Sequence, residues 1–247
     1  MQNKQDKFNW FEDWFNSPYY HLLYKDRNHI EAEHFICNIL SYLAPEKSSK
    51  MLDVACGKGR HSLFISKQGY TTDGFDLSEN SIIDAKKHEN QHLKFHVNDI
   101  RIPLKTNYYH FAFNLFTSFG YFINEEDNQK AIDAISASLV KDGVLVIDFM
   151  NVNYTLGNLT LSEVKQIEGI TFNIKKEIEH DFIVKHIEFN DKNQHYHYTE
   201  RVKILHLNDF KTYLTQANLK IEATFGDYSL NPFDENTSER LIIIAKK

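Results

Sequence analysis

From Lys50 onward, short apolar runs alternate with stretches of helical period, and that alternation narrows the possible folds more than any other feature. Met51–Ala55, Thr72–Phe75, Lys94–Val97, His110–Leu115 and Val144–Phe149 read as strands. Arg60–Lys67, Glu79–His88 and Glu125–Leu139 read as the helices between them. Repeated strand–helix–strand units of this kind build a mostly parallel sheet with helices on both faces, so the expected class is α/β, doubly wound. Asn124 is suited to cap the last helix, and Glu125, Glu126 and Asp127 suit the positive end of its dipole.

The flanking segments differ. Trp10, Trp14 and a crowd of Phe and Tyr residues fill the stretch from Phe8 to Tyr24. A helix follows, with Phe35, Ile36, Ile39, Leu40 and Leu43 on one face and Pro45 at its end. After Asn151 the period falls to about two through Thr171–Glu179, Phe182–Phe189 and His195–Ile204, which predicts inserted antiparallel strands. A helix near Asn208–Ala217, ended by Asn218 in a left-handed conformation, and strands at Lys220–Tyr228 and Arg240–Ala245 return the chain to the main sheet. The expected organisation is an aromatic lid and helix at 1–48, a main domain at 49–152 and 207–247, and an antiparallel insert at 153–206.

Between the first strand and its helix lies Leu52-Asp-Val-Ala-Cys-Gly-Lys-Gly-Arg60. Glycines there allow a sharp turn and close approach of a ligand, while the new helix presents unpaired N–H groups. Asp53 discriminates among such turns. Its carboxylate would repel a pyrophosphate, and a third glycine at the usual spacing is missing, so a dinucleotide oxidoreductase is disfavoured. The same carboxylate can orient the turn and attract a cationic amino group such as that of a methionyl moiety. Two further acids follow at strand ends, each after 23 residues. Asp76 is placed to accept both hydroxyls of a ribose, and Asp99 to accept from an adenine amino group while Ile100 packs on the ring.

With these residues in view, the chain resembles the class I S-adenosylmethionine-dependent methyltransferases, from about Ser49 to Phe149 and over Lys220–Lys247. Leu52–Gly59, Gly69–Ser78 and Asn114–Phe122 are similar in particular to the glycine N-methyltransferase type. The resemblance implies a Rossmann-like sheet of seven strands with a reversed final hairpin, and S-adenosylmethionine as cofactor. It implies cofactor contacts along the turn at Asp53, Ala55, Cys56, Gly57 and Gly59. Others are implied at Asp76 and Leu77, at Asp99 and Ile100, and near the sulfonium at Leu115, Ser118 and Tyr121. Tyr121 is the one candidate for a catalytic role. Ala55 replaces the family's first motif glycine, which an alanine can do while φ stays negative. His61, in the first turn of the following helix, can approach the methionyl carboxylate or face water. Tyr24 and Arg27 can form a clamp on that carboxylate, closing the aromatic segment as a lid, or the rings can simply pack on a sheet.

Methyl transfer is an in-line displacement on an already activated carbon, so it requires neither a catalytic triad nor a metal. None is expected: His195 and His197 share a strand face, but no further pair with ligand spacing accompanies them among the 13 histidines. The formal net charge of −6 disfavours a nucleic-acid partner. Asn114-Leu-Phe-Thr stands where amino-directed DNA enzymes carry Asn/Asp-Pro-Pro-aromatic, and the Pro-Cys of cytosine C5 enzymes is missing. The expected acceptor is a small molecule attacked through N or O, with Tyr121, Phe119, Tyr196, Tyr198, Arg201 and Tyr228 as candidate lining residues. A sensor or scaffold that binds the cofactor without transfer, and a macromolecular acceptor, are the alternatives. The inserted strands can cover the acceptor, extend the core or join two chains as a homodimer. Without a basic-then-apolar leader or a membrane-length apolar run, the protein is expected to be cytoplasmic. Cys37 and Cys56 cannot make a disulfide framework.

Overall fold

Strands that run between two layers of helices are apolar on both faces, as Met51, Leu52 and Val54 are in the first of those read above. The computed structural model describes residues 10–25 and 29–247. In chain order the elements begin with three helices, α1 (Trp10–Phe15), α2 (Pro18–Leu23) and α3 (His29–Leu43). Then come β1 (Lys50–Val54), α4 (Arg60–Lys67), β2 (Thr71–Asp76), α5 (Glu79–Lys86), β3 (Leu93–Val97) and β4 (Tyr109–Asn114). The alternation ends with α6 (Glu125–Ser138), β5 (Leu139–Met150) and α7 (Val152–Gly157). Strands β6 (Ser162–Ile167), β7 (Ile170–Glu179), β8 (Phe182–Asp191) and β9 (Gln194–Lys203) follow, and α8 (Leu207–Gln216), β10 (Lys220–Phe225) and β11 (Arg240–Lys246) close the chain.

Two compact units result. Asn28–Asn158 with Leu205–Lys247 form the larger, and α1 and α2 with Leu159–Ile204 form the smaller. The larger unit holds a seven-stranded sheet in the order β3-β2-β1-β4-β5-β11-β10. All neighbours are parallel except β11, which runs antiparallel to both β5 and β10. This is the doubly wound α/β sheet with a reversed final hairpin. Phe35, Ile36 and Ile39 of α3 bury fully against Met51, Phe113, Val146 and Ile242.

The smaller unit is an antiparallel meander, β6-β7-β8-β9. Tight turns join its strands, with Glu168 and Gly169, and then Lys192 and Asn193, at positive φ, as two-residue hairpin turns require. The N-terminal aromatic segment and α3, expected together, separate. Trp14 and Leu23 bury against Phe172, Ile174, Ile187 and Phe189 on this second sheet, whereas α3 belongs to the first. Trp14 and Tyr24 donate to the Glu200 carboxylate at 2.6 and 2.7 Å, and Lys185 reaches it at 2.6 Å. Burial alone would raise Glu200, but Lys185 and these hydrogen bonds hold its pKa below the ordinary value.

Other departures have local causes. Strand β6 escaped the periodicity because it is a half-exposed edge carrying Glu163 and Lys165. Asn124 stands at the N-cap of α6 but its side chain makes no capping bond. Asn218 does adopt φ +58° after α8.

Asp73, inside β2, shows how the large sheet tolerates a buried charge. Lys105 donates to it at 2.5 Å and Tyr109 at 2.7 Å. Burial pushes this carboxyl up, but His96, Lys105 and Tyr109 outweigh burial and hold it at about 2. A folded pKa below the unfolded value of about 3.9 means stability present above pH 4 and lost as pH falls toward 2. The expected loss is on the order of 2 kcal/mol. Urea denaturation across pH 2–5 should show this slope in the wild type and a shallower one in Asp73→Asn. Equal slopes would contradict the assignment.

Candidate active site

The strand ends of β1, β2, β3 and β4 meet at one edge of the large sheet, the edge where open α/β folds bind ligands. Hydrogen bonds stitch the segments together. Cys56 N–H donates to Phe75 O at 2.8 Å, Gly57 N–H to Asp76 Oδ2 at 2.8 Å, and Asn98 N–H to Asp76 O at 3.1 Å. Ser78 N–H donates to Asp76 Oδ1 at 2.8 Å. Asp76 thus holds the glycine turn against its own strand end. Burial raises its pKa, and the N–H groups of Ser78, Gly57 and Leu77 oppose the rise.

Asp53 lies in β1, before the turn. It is 1% exposed, and its Oδ2 accepts from the Ser62 N–H at 2.9 Å and the Ser62 hydroxyl at 2.5 Å. Burial pushes it up to about 7, against those two bonds. It orients the turn by anchoring the first turn of α4, so any attraction for a cation acts through space. Cys56 is buried and its thiol is pushed well above the ordinary value by burial.

Gly57 and Gly59 both have positive φ, +56° and +77°. A Cβ on Gly57 would meet nothing within 4 Å, so the turn is open there, whereas one on Gly59 would lie 2.4 Å from the Phe95 ring. Ala55 corrects an expectation: its φ is +58°, not negative. An L residue there costs about 1–2 kcal/mol. Ala55→Gly should therefore stabilise the fold by about 0.5–1 kcal/mol after the entropy glycine adds to the unfolded chain. Urea denaturation measures it, and a loss of stability would contradict the strain.

At the end of β3, Asp99 is gripped by Arg101, with Nη2 at 2.6 Å from Oδ2 and Nε at 3.0 Å from Oδ1. Burial would raise Asp99, but Arg101 holds it below the ordinary value. Arg101 also reaches Asp127 at 3.2 Å and lies 4.7 Å over the Phe122 ring. Ile100, beside it, is half-buried, as is Leu77 after Asp76.

After β4 the backbone turns through two successive left-handed residues, Phe116 (φ +57°) and Thr117 (φ +60°). Leu115 is buried in the core, and the Ser118 hydroxyl donates to Leu115 O at 2.8 Å. Asn114 Nδ2 bridges Val54 O at 3.3 Å and Ser118 O at 3.2 Å, tying this loop to β1. The Tyr121 hydroxyl donates to Thr117 O at 2.5 Å. His61 does not simply face water: its ring stacks on Phe116 (centroids 4.9 Å, 19°), with Arg60 Nη2 at 3.1 Å.

Sequence reasoning missed the group beneath this loop. Asp148 of β5 is fully buried and pairs with Arg240 of β11 at 2.7 Å. The Phe116 N–H donates to Asp148 Oδ2 at 2.8 Å, and the Tyr228 hydroxyl to the same oxygen at 3.2 Å. Burial pushes Asp148 up, and Arg240 opposes that. The available signal was one carboxylate inside the apolar run Val144–Phe149.

Several other candidates have protein partners of their own. Phe119 is 2% exposed and packs on Phe210, so its ring belongs to the core, not to an acceptor wall. In the smaller unit, Tyr196 and Tyr198 stack with Phe189, Arg201 pairs with Glu179 at 3.1 Å, and Tyr24 bonds Glu200. Arg27 lies outside the described residues. Among the described residues Glu177, Glu179 and His186 bring ligand atoms within 4.8 Å of one another. His186 is bonded there to Glu177 at 2.8 Å. No described helix is long and apolar enough to cross a membrane.

Known proteins are similar to this chain. A protein of Geobacillus sp. (strain WCH70) assigned as a methyltransferase is 24% identical over 229 residues, covering 86% of this chain and 90% of that one. The dTDP-3-amino-3,4,6-trideoxy-alpha-D-glucopyranose N,N-dimethyltransferase of Streptomyces venezuelae is 30% identical over 113 residues, covering 46% of this chain and 47% of that one. That second match spans about half the relative's length. The solved structure of an S-adenosylmethionine-dependent methyltransferase from Clostridium acetobutylicum ATCC 824 shares the fold, with a TM-score of 0.77, 20% identity, and coverage of 92% of this chain and 95% of that one. A family model described as a methyltransferase domain matches residues 45–219, well over half of the sequence, and so the chain belongs to that family, the class I S-adenosylmethionine-dependent methyltransferases.

Proposed function

We propose that this methyltransferase acts on a small-molecule acceptor, through nitrogen or oxygen, by in-line transfer. The observation that carries the cofactor half of this reading is the open space over Gly57, beside a carboxylate already oriented by backbone N–H groups. A bulky neighbour at that point would have excluded a ligand.

S-adenosylmethionine, when bound, supplies a methyl group activated by its sulfonium. The chain's own residues would hold it. Gly57 and Ser78 donate to different oxygens of Asp76, which leaves lone pairs for a ribose diol. Asp99, kept anionic by Arg101, and Ile100 suit the adenine edge and face. Ala55, Cys56, Gly57 and Gly59 form the turn for the methionyl part, with His61 at the helix start and Leu115 and Ser118 toward the sulfonium. Alignment and exclusion of water of this kind can supply roughly 7–11 kcal/mol of the barrier. Tyr121, fixed through its hydroxyl, presents a ring able to stabilise the cation that forms as a neutral amine is methylated.

A small acceptor is supported by the Streptomyces relative, which is named for N,N-dimethylation of an amino sugar nucleotide, and by the net charge of −6. The test is a panel assay of S-adenosylhomocysteine release with amino sugars, other amines, phenols, carboxylates, peptides and nucleic acids. Turnover of small amines or hydroxyl compounds is expected. Activity confined to peptides or nucleic acids would overturn the acceptor class.

A further inference from the structure

The loop after β4 turns left-handed at two residues that carry a Cβ, Phe116 and Thr117, at φ +57° and +60°. Residues with a Cβ persist there only when their surroundings over-determine the conformation. What surrounds them is unusual. The Phe116 N–H is held by Asp148 Oδ2 at 2.8 Å and the Thr117 N–H by Asp148 O at 2.9 Å. The Thr117 hydroxyl accepts from Arg240 Nη2 at 3.0 Å. Arg240 Nε in turn donates to Asp148 Oδ1 at 2.8 Å. The Phe116 ring packs between the His61 ring and Tyr228, at 4.9 and 5.3 Å.

We propose that Arg240 and Asp148 are positioning residues for the cofactor site, a buried ion pair that holds Phe116 and Thr117 left-handed and so sets Leu115 and Ser118. The reversed hairpin thereby has a task beyond completing the sheet: its last strand delivers the guanidinium. A buried ion pair alone is weak evidence of stabilisation, since an apolar pair can do as well. Here the carboxylate also takes a backbone N–H of the strained loop, and the guanidinium takes that loop's hydroxyl, which an apolar pair could not do. The inference rests on the reading that Leu115 and Ser118 line the methionyl end.

The experiment is calorimetric titration of S-adenosylhomocysteine into the full chain and its variants. Arg240→Met should weaken binding about 10- to 100-fold, and Arg240→Lys less. Thr117→Gly on its own loses the hydroxyl but holds a positive φ unaided, so it should bind more tightly than Thr117→Val. Added to Arg240→Met, it should restore affinity several-fold, because glycine holds a positive φ without the clamp. A purely structural role predicts no such rescue, so a double variant binding no tighter than Arg240→Met would overturn the proposal. If Arg240→Met does not fold, Thr117→Val removes the hydroxyl acceptor and should weaken binding in a chain that still unfolds cooperatively. Wild-type affinity in Thr117→Val would then overturn the clamp. Wild-type protein that fails to bind overturns the cofactor reading and the clamp together, whereas wild-type binding with an unaffected Arg240→Met overturns the clamp alone.

Discussion

Gly59→Ala should destabilise the fold by about 3 kcal/mol, whereas Gly57→Ala should cost about 1 kcal/mol and yet abolish most cofactor affinity. Both residues lie two apart in one turn, both at positive φ, so both substitutions carry the penalty of a left-handed alanine. They differ in what the new methyl meets. On Gly59 it would stand 2.4 Å from the Phe95 ring, which is 2% exposed and packed among Cys56, Ile82, Ala85 and Leu93. Overpacking of that kind typically adds 1–3 kcal/mol. On Gly57 the methyl would meet nothing within 4 Å. The folded chain accommodates it, and the space it fills is the space assigned to the methionyl part. Urea denaturation with S-adenosylhomocysteine titration separates the two effects. Wild-type affinity in Gly57→Ala would remove the ligand from that face of the turn.

How much of this was legible in the sequence follows from where each signal is written. The parallel strands were readable because burial on both faces makes them continuous apolar runs, as in Met51, Leu52 and Val54. The turn and its acids were readable because they are local, and the hydrogen bonds from Gly57 and Ser78 to Asp76 join them as neighbours. Long-range pairings were not readable. Asp148 and Arg240 stand 92 positions apart, and nothing near either names its partner. The φ of Ala55 was misjudged for a related reason, since the conformation is imposed by a turn tied to β2 and not by the residue's own preference. Tyr24 could be read as a hydroxyl near the chain start, but its bond to Glu200 depends on a sheet formed 176 residues later.

The cradle at the strand ends stands or falls on Asp76. Its carboxylate accepts backbone N–H groups on both oxygens, which fixes its orientation before any ligand arrives. Charge-assisted hydrogen bonds to a ribose diol then contribute about 1.5–3 kcal/mol, so Asp76→Ala should bind roughly 10- to 150-fold more weakly. Part of that loss comes from the Gly57 and Ser78 N–H groups left without their acceptor. The most direct measurement is calorimetric titration of S-adenosylmethionine into the wild type and Asp76→Ala, with a nicotinamide dinucleotide as control. Saturable binding by the wild type, weakened by at least tenfold in the variant and with none of the dinucleotide, is the predicted result. Absence of S-adenosylmethionine binding, or tighter binding of the dinucleotide, would contradict the account.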